Sequence, residues 1–338
     1  MTNWLLLSDE DRLISIQQAS IKSGIAAKVI EKDWWVTLVL KAIFEDEYAA
    51  YLSFKGGTSL SKGWQLIDRF SEDIDLAIDR QFFGFGDQLS KSGVKRLKRA
   101  ACEFTSTALK DRLEKKLQEL GVPDGVVTIT ADPIREDFPD TDPQTIRINY
   151  PSLLDPVEYI ADSVKLEVSA RSLNEPATNR PIRSLIGEHM PGFAWSGESF
   201  MVPTVEPKRT FMEKAFLLHE EFLRPVDQIV YLRMSRHLYD LERMMETEHA
   251  KSALADYDYY QTIVEHRRNM IFKSGVDYNT HKPETINFIP PEAISDAFEK
   301  DYRLMREQMI YEENSKDFKE IIKNLNLLLD LFRKVNQK

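Results

Sequence analysis

The chain has 338 residues, 42% of them hydrophobic and 30% charged, enough for two domains or for one large domain with a helical extension, and too apolar for global disorder. Its formal net charge is −10, which excludes a general nucleic-acid coat protein because phosphate repels the average surface, while leaving room for a local basic face. A lone Cys102, no signal-peptide pattern, no apolar run of the ~18–20 residues a membrane span needs and no zinc-like histidine spacing together predict a cytoplasmic protein without membrane segment, disulfide or structural zinc.

The first ~50 residues read as helices, one opened by Leu13, Ile14, Ile16 and Gln17 and another over Val29 to Phe44. A short apolar strand, Tyr51 to Phe54, runs into Lys55-Gly56-Gly57-Thr58-Ser59, followed by a helical stretch. The segment Ser71 to Ile78 then alternates, with Ile74, Leu76 and Ile78 on one face and Asp73, Asp75 and Ala77 on the other. Period two predicts a half-buried strand.

Lys91 to Leu120 reads as a long basic helix stopped at Gly121. Its cations Lys91, Lys95, Arg96, Lys98, Arg99, Lys110, Arg112, Lys115 and Lys116 form either a solvated face or an RNA-backbone contact. Arg267 and Arg268, with His281 and Lys282, form a second, weaker candidate. Strands are expected at Val126–Ala131, Thr145–Tyr150 and Ser163–Ala170. In the last, Val164, Leu166 and Val168 alternate with Lys165, Glu167 and Ser169. From Pro207 onward the pattern turns helical, so the Pro- and Gly-rich stretch Pro191 to Pro203 is the expected boundary. A mixed α/β half thus precedes an α-helical half, and no Gly-x-Gly-x-x-Gly turn supports a dinucleotide fold.

The chemistry concentrates in Gly56-Gly57-Thr58-Ser59 and, about a dozen residues on, Asp73-x-Asp75. Paired glycines let backbone approach an anion closely. Thr58 and Ser59 are expected to cap the following helix, whose N-terminus favours phosphate. Carboxylates at i and i+2 leave one strand face about 7 Å apart at the backbone and can converge on hard cations such as Mg²⁺. Alone, an Asp-x-Asp is usually solvated strand surface and a Gly-Gly an ordinary turn; it is their succession that points to catalysis. No Gly-Lys-Ser/Thr ending follows at the required spacing, so a P-loop in its strict form is excluded.

Lys55 to Lys62 followed by Arg69 to Leu76 closely resembles motif I of the AbiEii/AbiGii-type toxins, within the DNA polymerase β-like nucleotidyltransferase superfamily. Glu31-Lys32-Asp33-Trp34-Trp35 resembles that family's N-terminal helix, and Val164 to Arg171 its third-carboxylate strand. Thr210 to Lys214 and Arg236 to Leu241 resemble its two helical motifs, and Asp301 to Met305 its C-terminal helical region. The resemblance implies an α+β fold. Residues 1–200 would form a polymerase β-like nucleotidyltransferase domain with a mixed sheet and N-terminal helices. Residues 201–338 would form an α-helical domain completing the active-site cleft.

It also implies a metal-dependent nucleotidyltransferase toxin of a toxin–antitoxin system, with Mg²⁺ or Mn²⁺ as cofactor and an NTP as substrate. Asp73, Asp75 and Glu167 would hold the metals, with Glu167 alternatively helping to deprotonate the acceptor hydroxyl. Gly56, Gly57, Thr58, Ser59 and Lys62 would bind the nucleotide. Lys214, expected on its phosphates, and Asp240 would complete the catalytic set. A tRNA 3′ end is the expected acceptor and a cognate antitoxin the expected partner. A protein hydroxyl accepting NMP and a non-catalytic nucleotide-binding module are the competing readings.

The residues themselves leave other roles open. Glu167 stands between Lys165 and Arg171 on one strand face and can form a cross-strand ion pair; Asp162 and Glu158 are the reserve carboxylates. On an amphipathic helix with Phe211, Ala215, Leu218 and Phe222 buried, spacing alone makes Lys214 a solvated lysine. Arg236 and Asp240, four apart, can pair within their helix. His219 and His237 read as packing histidines.

Overall fold

Alternating and short apolar segments build the sheet of the computed structural model, which describes residues 1–157, 159–172 and 176–335; Glu158 therefore lies outside the described residues. The strands are β1 (Leu52–Lys55), β2 (Asp73–Ile78), β3 (Thr128–Ala131), β4 (Gln144–Asn149), β5 (Ser163–Ser169), β6 (Ala177–Ile182) and β7 (Phe200–Val205). Their order is β3-β4-β5-β2-β1-β7-β6. The sheet is mixed: β2 runs parallel to β5 and β1 to β7, while the other neighbours are antiparallel. It belongs to a unit formed by Met1–Trp64 and Phe70–Val205.

Two of these strands escape the sequence pattern. Segment β6 reads as polar chain because residues 177–179 are exposed. In β7, Pro203 removes a backbone donor and makes the segment read as a linker, yet it pairs with β6 along its whole length and with β1 at Phe54 opposite Thr204. The helical stretch expected after the glycine pair is present but short: α3 (Gly56–Thr58) continues as a widened, π-helical turn over Ser59–Gly63.

Helices α1 (Asp9–Ser23) and α2 (Ala27–Phe44) open the unit. The long basic helix is present with one irregularity. α4 (Lys91–Phe104) passes through a widened turn, Thr105–Leu109, into α5 (Lys110–Glu119), which stops before Gly121 at φ +95°. A short α6 (Leu185–His189) follows. These helices cover the face carrying Ile74, Leu76, Ile146, Ile148, Val164 and Leu166, all at or near zero exposure. Gln144, on that face, donates to Ser106 Oγ at 2.8 Å, which fixes α4 and α5 on that side.

Helix α2 is buried along most of its length, including the charges of Glu31-Lys32-Asp33. Each charge has a partner. Glu31 accepts from Ser152 Oγ (2.6 Å) and the Leu153 amide (2.7 Å). Lys32 pairs with Glu72. Asp33 takes Lys62 and the Leu185 amide. Buried charges survive only when paired in this way, and here the pairs fasten α2 to the chain flanking the glycine turn and β2.

The other unit contains Gln65–Arg69 and the chain from Glu206. Its helices are α7 (Pro207–Phe222), α8 (Ser235–Met244), α9 (Glu248–Ala255), α10 (Tyr257–His266), α11 (Ser295–Gln308) and α12 (Phe318–Arg333). The carboxylate of Asp301 in α11 accepts from the Arg233 and Ser235 amides at 2.7 and 3.1 Å. It thereby satisfies the start of α8, which no local side chain caps. Among the described residues no helix is long and apolar enough to cross a membrane.

Arg267 and His281 are buried rather than at the surface: both bind Glu220, Arg267 Nη2 at 2.8 Å and His281 Nε2 at 3.2 Å. The second basic candidate is thus largely consumed by a core ion pair. Beside it His219 accepts from the Asn287 amide and meets Thr280 Oγ1, both at 3.0 Å. Burial, reinforced by His281, pushes the His219 pKa from 6.5 down to about 4. The unfolded chain therefore takes up a proton first, and stability is full above about pH 6.5 and lost as pH falls toward 4. Burial disfavours the Glu220 charge, but His281 and Arg267 outweigh it and lower its pKa, so the loss continues below the usual carboxylate range. Between pH 7 and 5 the His219 contribution alone amounts to about 2 kcal/mol. Urea denaturation should show this loss in the wild type and a correspondingly smaller one in His219→Asn; identical losses in both proteins would refute the assignment.

Candidate active site

Antiparallel pairing of β1 with β2 sets Lys55 opposite Asp75. The next residue must turn beneath that carboxylate. Gly56 does so at φ +79°, and a Cβ placed there would come within 2.0 Å of Asp75 Oδ2. Position 56 therefore requires glycine twice over, for its left-handed backbone and for the space that Asp75 fills. The turn then closes on itself. Thr58 Oγ1 donates to the carbonyl of Asp73, and Ser59 Oγ to that of Gly56 at 2.8 Å. Neither hydroxyl caps the helical turn, whose N-cap position is Lys55 with no side-chain hydrogen bond. Both are fully buried, because they lie within the turn and not ahead of it. Gly57 is buried as well. Lys62 is held between Asp33 and the Arg183 carbonyl (3.0 Å).

Along β2, Asp73 and Asp75 are half-buried on the polar face while Ile74, Leu76 and Ile78 point into the core. The parallel neighbour β5 places Glu167 beside Asp75 and Lys165 beside Asp73. Three carboxylates thus share one face on adjacent strands. Lys165, not Arg171, is the partner of Glu167, at 2.5 Å; Arg171 pairs with Asp142 at 2.8 Å. Burial works against the Lys165 ammonium, but Glu167, with Asp73 and Asp75 nearby, outweighs it and raises its pKa. The reserve carboxylate Asp162 is engaged by Lys28 at 2.6 Å.

Donor type and register here suit a hard divalent cation. Among the described residues, however, no three His, Cys, Asp or Glu side chains are drawn together closely enough to hold a metal. Like charges repel, and Lys165 supplies the counter-charge in the protein by itself. The cations of α4 lie on the helix-covered side of the sheet, opposite these carboxylates.

In the helical unit, Asp240 is fully buried and accepts two 2.7 Å hydrogen bonds from Arg69 and a 2.7 Å ion pair from Lys214. Lys214 is itself buried, in contrast to the solvated lysine that spacing suggests. Burial disfavours the Asp240 charge, but Arg69 and Lys214 outweigh it and hold its carboxyl well below the usual range. Burial also pulls the Lys214 pKa down, aided by Arg69 and Arg236 and opposed by Asp240. His237 Nδ1 stands 3.5 Å from Lys214 Nζ, and burial with those neighbouring cations keeps the imidazole neutral. Arg69, the first residue of the stretch that resembles motif I, is the member to which the sequence assigned no role. It lies 171 residues from Asp240, so no local pattern marks the pairing.

Two substitutions test these placements. Gly56→Ala must displace the Asp75 carboxylate, so any reaction that depends on these carboxylates should fall at least about a hundredfold, with a lowered melting temperature; near-wild-type values in an activity assay and a thermal melt would contradict the contact. Asp240→Ala removes the carboxylate that joins two buried cations and should cost about 3–5 kcal/mol in chemical denaturation. A stability change under 1 kcal/mol, as expected for an exposed pair, would show that the three-way contact does not form.

The family model described as nucleotidyl transferase AbiEii toxin, type IV toxin–antitoxin system, matches residues 38–324. This span begins within α2 and takes in the glycine turn, both carboxylate strands, Lys214 and Asp240. Comparison with curated proteins and with solved structures gave no match. With most of its length covered, glycine turn and carboxylate strands included, the chain belongs to the AbiEii family of nucleotidyl transferase toxins of type IV toxin–antitoxin systems.

Proposed function

We propose that this enzyme transfers a nucleoside monophosphate from an NTP to the 3′-terminal hydroxyl of an RNA, with tRNA the preferred acceptor and a divalent cation, Mg²⁺ or Mn²⁺, as cofactor. The observation that carries this reading is the placement of Asp73, Asp75 and Glu167 on one sheet face beside the Gly56 turn. The acceptor oxygen attacks the α-phosphorus, the bond to the bridging oxygen breaks, and pyrophosphate leaves. A divalent cation held by Asp73, Asp75 and Glu167 would lower the hydroxyl pKa and neutralise charge on the departing pyrophosphate. The protein's own part is positioning. Gly56 and Gly57 let backbone approach the triphosphate, and the register of β2 with β5 fixes the three carboxylates relative to that turn.

Lys214 and Asp240 are proposed as members of the same catalytic set, with Lys214 directed at phosphate; Lys62 has Asp33 as its partner and supports the turn. A toxin of this family implies a cognate antitoxin as partner. The reaction is tested with purified protein, each labelled NTP, Mg²⁺ or Mn²⁺, and total tRNA. Label should enter RNA, vanish with chelator, vanish in Asp73→Ala, and be refused by tRNA whose terminal diol has been oxidised with periodate. Transfer that survives Asp73→Ala rules the mechanism out, and label found in protein bands instead of RNA would assign the acceptor to protein hydroxyls.

A further inference from the structure

We propose that Arg147 and Lys165 receive the one or two phosphates immediately preceding the attacked hydroxyl, so that a single-stranded RNA end crosses the open sheet face from the β3–β4 edge toward the carboxylates. The inference rests on the RNA-acceptor reading and adds where that acceptor lies. Register makes the argument. Across the sheet, Asp73 stands beside Lys165, Lys165 beside Arg147, and Arg147 beside Thr130. The neighbouring row holds Asp75, Glu167 and Thr145, and the row beyond Lys165 and Arg147 holds Ser163, Asn149 and Thr128.

Strand spacing puts the Arg147 backbone about 10 Å from that of Asp73, within one or two nucleotides of a hydroxyl attacking at the carboxylates. The face is open. The Arg147 side chain is 43% exposed and that of Lys165 33%, and Thr128, Thr130 and Asn149 are exposed. Away from the carboxylates the surface becomes neutral and hydrogen-bonding, suited to a sugar–phosphate backbone.

Chain economy favours these two cations over the more numerous ones on α4. The α4 cations occupy the helix-covered side of the sheet, so a strand bound there could not present its end to Asp73. Arg147 is paired with Asp132 at 2.9 Å in the protein by itself. That pair is exposed on both sides and therefore weak enough for a phosphate, which takes the guanidinium fork equally well, to displace it. An Arg at this position gives planar two-point recognition that a lysine would not.

The experiment follows label transfer at varied tRNA, NTP and salt concentration. Arg147→Glu should raise KM for tRNA by about tenfold or more while leaving kcat and KM for NTP within about twofold, and the salt slope of kcat/KM should shallow by about one. Arg147→Lys should retain part of the acceptor affinity. Lys323→Glu, an equal charge change on an exposed position of α12, should match the wild type. A thermal melt of Arg147→Glu should stay within a few degrees of the wild type, because an exposed pair with Asp132 is replaced by an exposed, solvent-screened repulsion. An Arg147→Glu enzyme that labels RNA with unchanged KM and salt slope overturns the acceptor track while leaving RNA transfer intact, and so does an equal KM rise in Lys323→Glu. A wild-type enzyme that labels only protein overturns the RNA reading and the track together.

Discussion

Everything at the candidate site hangs on the contact between Gly56 and Asp75. The β1–β2 ladder places Lys55 opposite Asp75, so the chain leaving β1 has to pass under a carboxylate. A residue with a Cβ has no room there, since that atom would stand 2.0 Å from Oδ2. Once Asp75 is fixed over the turn, strand pleat fixes Asp73 two residues back on the same face. Parallel register then fixes Glu167 beside Asp75. Carboxylates and turn are thus positioned by one short-range contact and two ladders, which is the rigid support that electrostatic catalysis needs.

Around this frame, the charged residues that resemble family motifs are tied into buried pairs. Lys32 meets Glu72, Asp33 meets Lys62, Asp301 caps the start of α8, and Asp240 joins Arg69 to Lys214. A buried ion pair adds little net stability compared with a well-packed apolar substitute, but breaking one side of it is expensive because a bare charge remains. Loss of activity on replacing Lys214 or Asp240 is therefore ambiguous by itself. A catalytic role and a folding role predict the same loss, and stability has to be measured beside turnover. The hydroxyls of Thr58 and Ser59 carry the same lesson, since both are spent on backbone carbonyls.

Much of the fold was legible along the chain, because the signals are local. Period-two alternation marked β2 and β5, helical periodicity marked α2 and α7, and Gly121 marked the end of α5. Polar β6 and proline-bearing β7 were not legible: an exposed edge strand carries no apolar period, and a proline hides a strand whose pairing comes from elsewhere. The long basic run was read as a helix, and the chain is helical throughout it, with a widened turn at Thr105–Leu109 between α4 and α5.

By itself the sequence determined the residues of the candidate site: a glycine pair that ends one strand, an Asp-x-Asp that begins the next, and a third acidic residue on an alternating strand. Such features are set by neighbours within a few residues, where periodicity and backbone chemistry suffice. Tertiary structure alone decided who partners whom. It gave Glu167 to Lys165 and not to Arg171, took Lys214 out of solvent, consumed Arg267 and His281 in the core, and put the α4 cations on the covered side of the sheet while leaving Arg147 on the open one. Those outcomes depend on strand order and on contacts between residues as much as 171 positions apart, and no local pattern encodes which distant charge will arrive.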